Sequence, residues 1–124
     1  METEAIETVM LHAECRDWDW VGSDAMLYEI ANLTDFERRG RVLDLLSGVR
    51  EWVRADEAQE RRAEALMAIG FKPLDALHVA CAEAAEVEVV LTSDDRLIRT
   101  AERHAAELKV RVSNPLRWLE EQIR

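Results

Sequence analysis

Apolar residues along this chain recur with two periods, and the switches between those periods mark out its elements. Residues 3–14 carry Ala5, Ile6, Val9, Met10 and Ala13 at helical spacing, which predicts an opening helix. Trp18 to Val21 reads as a short strand. Ser23 or Asp24 then supplies an amino-terminal cap for a helix to about Asn32, with Met26, Leu27, Ile30 and Ala31 turned inward. Thr34 and Asp35 open a further helix to about Ser47, whose apolar positions are Phe36, Val42, Leu43, Leu45 and Leu46. Trp52 and Val53 suggest another short strand. Asp56 starts a long polar helix that ends near Gly70.

The last third is patterned most clearly. Pro73 suits the first position of a helix, predicted to run to about Glu86. Glu88 to Thr92 reads as a strand, Ser93 to Ala106 as a helix, Lys109 to Val112 as a strand, and Pro115 begins a terminal helix. Short apolar strands alternating with helices predict an α/β domain with a mostly parallel sheet. Ligands of such sheets bind beyond the carboxyl ends of the strands, and Asp94 follows a strand directly. No repeat, linker or low-complexity stretch interrupts the chain, so residues 1–124 are expected to form one domain.

Composition narrows the function. The 48% apolar content suits a globular core, and no apolar run approaches the length of a bilayer span. The start Met1-Glu2-Thr3-Glu4 lacks the basic segment of a secretory signal, which points to the cytoplasm and reduced thiols. Cys15 and Cys81 are too few for a structural zinc site and read as small buried hydrophobes. A formal charge of −10, from 26 acidic and 16 basic residues, favours a basic partner, a metal ion or plain solubility. It does not by itself attract nucleic acid, whose phosphates are bound by Lys and Arg.

Three acids stand out: Glu29 on a helix, Asp75 at the head of an apolar helix, and Asp94 just past a strand. Each has a structural reading. Asp75 suits the positive end of its helix, Ser93 or Asp94 suits a cap, and Glu29 suits a solvent-facing position. Together they lie near the ends of three elements that an α/β fold can bring to one edge. Mg²⁺ and Mn²⁺ take carboxylate and water oxygens, and a divalent cation relieves the repulsion of crowded carboxylates. Metals so held activate water and neutralise a phosphate during in-line displacement.

Four segments carry a family resemblance: Val21-Gly22-Ser23-Asp24-Ala25-Met26-Leu27-Tyr28-Glu29-Ile30, Leu74-Asp75-Ala76-Leu77-His78-Val79-Ala80, Val90-Leu91-Thr92-Ser93-Asp94-Asp95-Arg96-Leu97 and Val110-Arg111-Val112-Ser113-Asn114-Pro115-Leu116. With them the chain resembles a PIN domain, the fold of many VapC-type toxins. The resemblance implies a three-layer α/β fold, a short, mostly parallel sheet flanked by helices, and Mg²⁺- or Mn²⁺-dependent ribonuclease activity. It makes Glu29, Asp75 and Asp94 the catalytic metal ligands, gives Thr92 the role of orienting the site, and makes Asp95 a fourth acid. Implied partners are an RNA substrate, an antitoxin or other basic protein, and further copies of the chain. Family members open with a central hydrophobic strand ending in aspartate. Met1 to Ala13 is helical in pattern and interrupted by Glu2, Glu4 and Glu7. The domain is therefore expected to be amino-terminally truncated, without that strand and its aspartate. The alternative function is a catalytically degenerate PIN-like protein that acts by partner binding or self-association.

The remaining polar and aromatic residues have plainer readings. His12, His78 and His104 show no metal-ligand spacing, and His78 reads as a partly buried structural residue. Arg38, Arg39, Arg41, Arg96, Arg99 and Arg103 are set against Glu37, Asp44, Glu102 and Glu107, which predicts a solvated, salt-bridged face rather than a phosphate site. Trp18, Trp20, Trp52 and Trp118 read as packing residues.

Overall fold

The computed structural model of the chain describes residues 21–31, 34–46 and 51–122. The predicted helix at 3–14, the strand residues 18–20, His12, Cys15, Trp18 and Trp20 lie outside the described residues. The elements run in the order β1 (Val21–Ser23), α1 (Asp24–Ala31), α2 (Phe36–Leu46), β2 (Glu51–Val53), α3 (Glu57–Ala68) and α4 (Pro73–Ala84). They continue with β3 (Val89–Leu91), α5 (Asp95–Arg103), a 3₁₀ turn (Ala105–Glu107), β4 (Arg111–Ser113) and α6 (Pro115–Gln122). The alternation of strand and helix agrees with the predicted α/β class.

Both strand pairs are parallel. β1 runs beside β2 with Gly22 opposite Trp52, and β3 beside β4 with Val90 opposite Val112. Among the described residues they form two separate two-stranded sheets rather than one continuous sheet. α4 packs against β1, β2 and β3, so one helix covers both pairs. No helix among the described residues is long and apolar enough to cross a membrane.

The best-packed unit is the hairpin of α3 and α4. Asp56 caps α3 by accepting from the backbone of Ala58 and Gln59, and the Gln59 side chain accepts in return from Asp56 N. That reciprocal pair is a capping box. α3 ends in a Schellman turn: Phe71 N donates to the Leu66 carbonyl at 3.2 Å and Gly70 N to that of Met67 at 3.1 Å. Gly70 stands at φ 118°, where a side chain would be strained. The turn brings Leu66 and Phe71 into the core beside Ala63, Ala76, Val79 and Ala80. Alanines at the crossing let the two helices approach closely, while Leu97, Ala101, Val110 and Val112 close the core from α5 and β4.

α4 ends in the same way. Val87 N donates to the Ala82 carbonyl at 3.3 Å and Glu86 N to that of Glu83 at 3.1 Å. Here the left-handed residue is Glu86, at φ 56°, where a non-glycine side chain meets its own carbonyl and costs about 1–2 kcal/mol.

Glu83 holds these parts together. Its side chain is 5% exposed and accepts from Arg62 Nε at 2.6 Å, from a second Arg62 nitrogen at 3.1 Å, and from Lys109 N at 2.9 Å. Arg62 also donates to the Glu107 carbonyl at 2.8 Å. One carboxylate thus joins α3, α4 and the chain entering β4. Burial alone raises the proton affinity of Glu83, but the bonds from Arg62 and Lys109 outweigh it and hold the carboxyl below its ordinary value of 4.5.

Two apolar assignments on the amino-terminal half need correction. Phe36 and Leu43 are exposed, at 80% and 46%, and the Arg39 guanidinium lies 5.5 Å from the Phe36 ring centre. Trp52 is not a core residue either. It is 38% exposed, and its indole N–H donates to Asp24 at 2.9 Å.

Two outcomes follow from these contacts. Glu86→Gly should stabilise the protein by about 0.5–1 kcal/mol in a denaturant titration, because glycine adopts the left-handed turn without the side-chain penalty. Glu83 is depressed, so its stabilisation is present above pH 4.5 and lost as the pH falls through the lower folded value. Glu83→Gln should lower stability by about 2 kcal/mol at neutral pH and flatten the loss between pH 4.5 and the acid extreme. An unchanged acid limb in that variant would show that other carboxylates carry it.

Candidate functional site

Two helix beginnings carry the candidate residues. At the first, Pro73 starts α4 and Lys72 is the cap residue, without a side-chain capping bond. Asp75 follows in the first turn, half-buried, where the helix dipole favours a negative charge. At the second, the chain leaves β3 through Thr92, whose N–H donates to the Ser113 carbonyl of β4 at 2.9 Å. The Thr92 hydroxyl accepts from Asp94 N at 3.1 Å and fixes the turn. Asp94 then caps α5: its Oδ1 accepts from Arg96 N at 2.9 Å and from Leu97 N at 3.3 Å. Among the described residues nothing bonds to Asp94 Oδ2. Asp95, exposed, is the first residue of α5.

Between the two helices lies an open cleft of about 230 Å³. Its polar lining is Lys72 and Asp75 from the start of α4, with Arg96, Arg99, Thr100 and Arg103 from one side of α5. Gly70, Phe71 and Leu97 complete the wall. Asp94 does not line the cleft but caps the turn from which Arg96 enters it. Glu29 belongs to α1, and its side chain lies outside the described residues. Among the described residues, no three His, Cys, Asp or Glu form a group able to hold a metal.

The arginines differ from expectation. Glu102 pairs with Arg117 at 3.8 Å, and Glu107 with His104 at 2.9 Å. Neither acid neutralises α5's cleft-facing cations, and among the described residues Arg96, Arg99 and Arg103 form no ion pair. The predicted salt-bridged face does not hold for these three. The side chains of Arg38 and Arg41 lie outside the described residues.

Other predictions fare better. His78 is half-buried on α4, one turn beyond Asp75. Cys81 is a buried hydrophobe at 1% exposure, and burial pushes its thiol up despite a hydrogen bond with Ser23. Asp24 has a structural duty that its place at a helix start only hinted at. Its two oxygens accept from Trp52 Nε1 and Ala55 N, each at 2.9 Å, tying α1 to the end of β2. The Ala55 bond first and the Trp52 bond second hold its carboxyl below the usual 3.8. Sequence reasoning missed Glu83 and Arg62 altogether. The available signal was a lone acid inside the run Val79-Ala80-Cys81-Ala82-Glu83-Ala84-Ala85.

Mg²⁺ is ordinarily held by one or two carboxylates, waters and substrate phosphates, and Asp75 and Asp94 Oδ2 are oxygens of that kind at the starts of two different helices. The pattern of the PIN domain family matches residues 9–103, well over half of the 124 residues. The match ends with α5, while β4 lies beyond it and still contributes Val112 to the same core. No curated protein matches the chain.

The cap and any ligand role of Asp94 separate by substitution. In metal-free buffer Asp94→Ala should cost about 1 kcal/mol of stability and Asp94→Asn only a few tenths, since Asn caps as well as Asp. Equal losses on thermal melting would contradict the capping assignment.

Proposed function

This chain belongs to the PIN domain family, and from that membership we propose that it is a divalent-metal-dependent endoribonuclease. PIN domains share a nuclease-like fold, generally bind divalent metal ions, commonly act on RNA and pair with antitoxins. What carries the reading to this chain is the position of Asp75, a half-buried carboxylate in the wall of a cleft whose charged neighbours are all cations. A nuclease needs that pairing of charges: acid to hold a metal, base to hold phosphate.

In this reading Asp75, Asp94 and Glu29 hold Mg²⁺ or Mn²⁺, with Asp95 as a further acid at the same helix start. When bound, the ion supplies charge neutralisation at the phosphate and an activated water. The chain's own contribution is positional. The Thr92 hydroxyl fixes the backbone of Asp94, and Asp94 spends Oδ1 on the cap, leaving Oδ2 for the ion. Asp75 is set by the first turn of α4, whose far end is held by Glu83. The same reading takes residues 1–124 as one cytoplasmic domain, possessing the net charge of −10 that suits a basic partner such as an antitoxin. Self-association of PIN-like copies is part of the proposal.

Cleavage of RNA with and without Mg²⁺ or Mn²⁺ is the test. Asp75→Asn should keep the fold and lose about 10²-fold or more in rate, the usual effect of removing one charge-stabilising group. Asp94→Asn should abolish any metal-induced rise in melting temperature while leaving the cap intact. A folded native chain that cleaves no RNA with either metal would sink the enzymatic reading and leave partner binding as the function.

A further inference from the structure

The cleft between α4 and α5 has an electrostatic peculiarity that the acids do not explain. Lys72, Arg96, Arg99 and Arg103 converge on it, and among the described residues none of the four is held in an ion pair. This happens in a chain with ten more acids than bases. Arg96, Arg99 and Arg103 follow at i, i+3 and i+7, so they share one face of α5 and repel one another. Lys72 and Arg96 also sit at helix beginnings, where the dipole disfavours a cation. Only Arg103, in the last turn of α5, gains from its helix end. Glu102 and Glu107, near enough in sequence to relieve the row, are engaged by Arg117 and His104. The arrangement leaves four hydrated cations facing one cleft, a surface that attracts an anion.

The shape limits what that anion is. At about 230 Å³ the cleft is smaller than the 300–1,000 Å³ usual for a small-molecule pocket, and its cations are exposed rather than enclosed. It suits a strand of successive charges laid along α5. At 1.5 Å rise per residue the row extends about 10 Å from Arg96 to Arg103, long enough for more than one charge of a polyanion. Asp75 shares the cleft, so a bound strand also meets a carboxylate. A peptide carboxylate could share a cation with that carboxylate as a phosphodiester does, but a row of guanidinium forks along a helix suits the regularly repeated charge of a phosphodiester chain.

We propose that Arg96, Arg99 and Arg103, with Lys72, form a phosphate track that lays single-stranded RNA along α5 and delivers one phosphodiester to Asp75. The inference rests on the ribonuclease reading but concerns binding, which needs no turnover. Arginine suits the role, because its planar fork takes phosphate oxygens in pairs.

Anisotropy titrations of a short fluorescein-labelled oligouridylate, in EDTA and over a range of KCl, test the track apart from cleavage. Arg99→Gln/Arg103→Gln should weaken binding roughly ten-fold or more and reduce the slope of log K against log[KCl] by about 1.4, at about 0.7 per phosphate contact. Arg54→Gln/Arg61→Gln removes the same charge elsewhere and should change the slope little. All these side chains are exposed, so melting temperatures should stay level. Equal losses in both pairs, or no oligonucleotide binding by the native chain, would overturn the track. So would polyglutamate binding through the row when the oligonucleotide does not, which would assign it to an acidic protein partner. Binding that persists in Asp75→Asn while cleavage is lost supports track and nuclease together. Arginine-dependent binding without any cleavage keeps the track and removes the nuclease.

Discussion

A buried carboxylate must be matched by donors, and that demand at Glu83 organises the better-packed half of this molecule. Its oxygens are satisfied by Arg62 from α3 and by the backbone ahead of β4. Removing either partner leaves a charge in the interior, so the phase of α3, the position of α4 and the approach of β4 are set together. The apolar contacts of Leu66, Phe71, Val79 and Val112 then fill the space that this network frames. Asp75 lies eight residues earlier on the same helix, about 12 Å away at 1.5 Å per residue. The helix that carries Asp75 is thus placed by a structural ion pair about two turns away.

Opposite charges are handled differently at the two ends of α4. At its carboxyl end acid and base are paired and buried. At its amino end Asp75 stands beside unpaired arginines in an open cleft. Pairing gives rigidity at the first end, whereas at the second the guanidinium groups form no ion pair among the described residues and stay open to an anion. Asp94 shows the same economy within one side chain, since a single oxygen serves the cap and the other has no described partner.

The sequence made local structure legible where punctuation is chemical. Asp56, Gly70, Pro73 and Asp94 each mark a helix end by a bond or a backbone angle that their neighbours determine, and all stand where expected. The turn in which the Thr92 hydroxyl accepts from Asp94 N was not read from the sequence, which placed Thr92 at the end of a strand. What else escaped depends on distant partners. The indole of Trp52 meets Asp24 across 28 residues, which no local pattern encodes. Phe36 and Leu43 have core-like spacing, yet spacing shows only that a helix has an apolar stripe and not what covers it. The arginines of α5 looked neutralised because acids adjoin them in sequence. A tertiary contact drew Glu102 away to Arg117, and a local one engaged Glu107 with His104. The acid trio could be proposed from motifs, but the structure locates only Asp75 and Asp94 as side chains.

The two Schellman turns have a consequence for how the chain can vary in length. Gly70 before α4 and Glu86 after it each lock a left-handed residue and two backbone bonds, so neither end of the helix can slip. One residue of α-helix is 100° of rotation, since a full turn takes 3.6. An insertion or deletion inside α4 would swing Asp75 a quarter of the way around the helix or pull Glu83 off Arg62, and could not spare both. Length changes are therefore confined to loops such as that after α5, while the stretch between the two turns behaves as a fixed ruler.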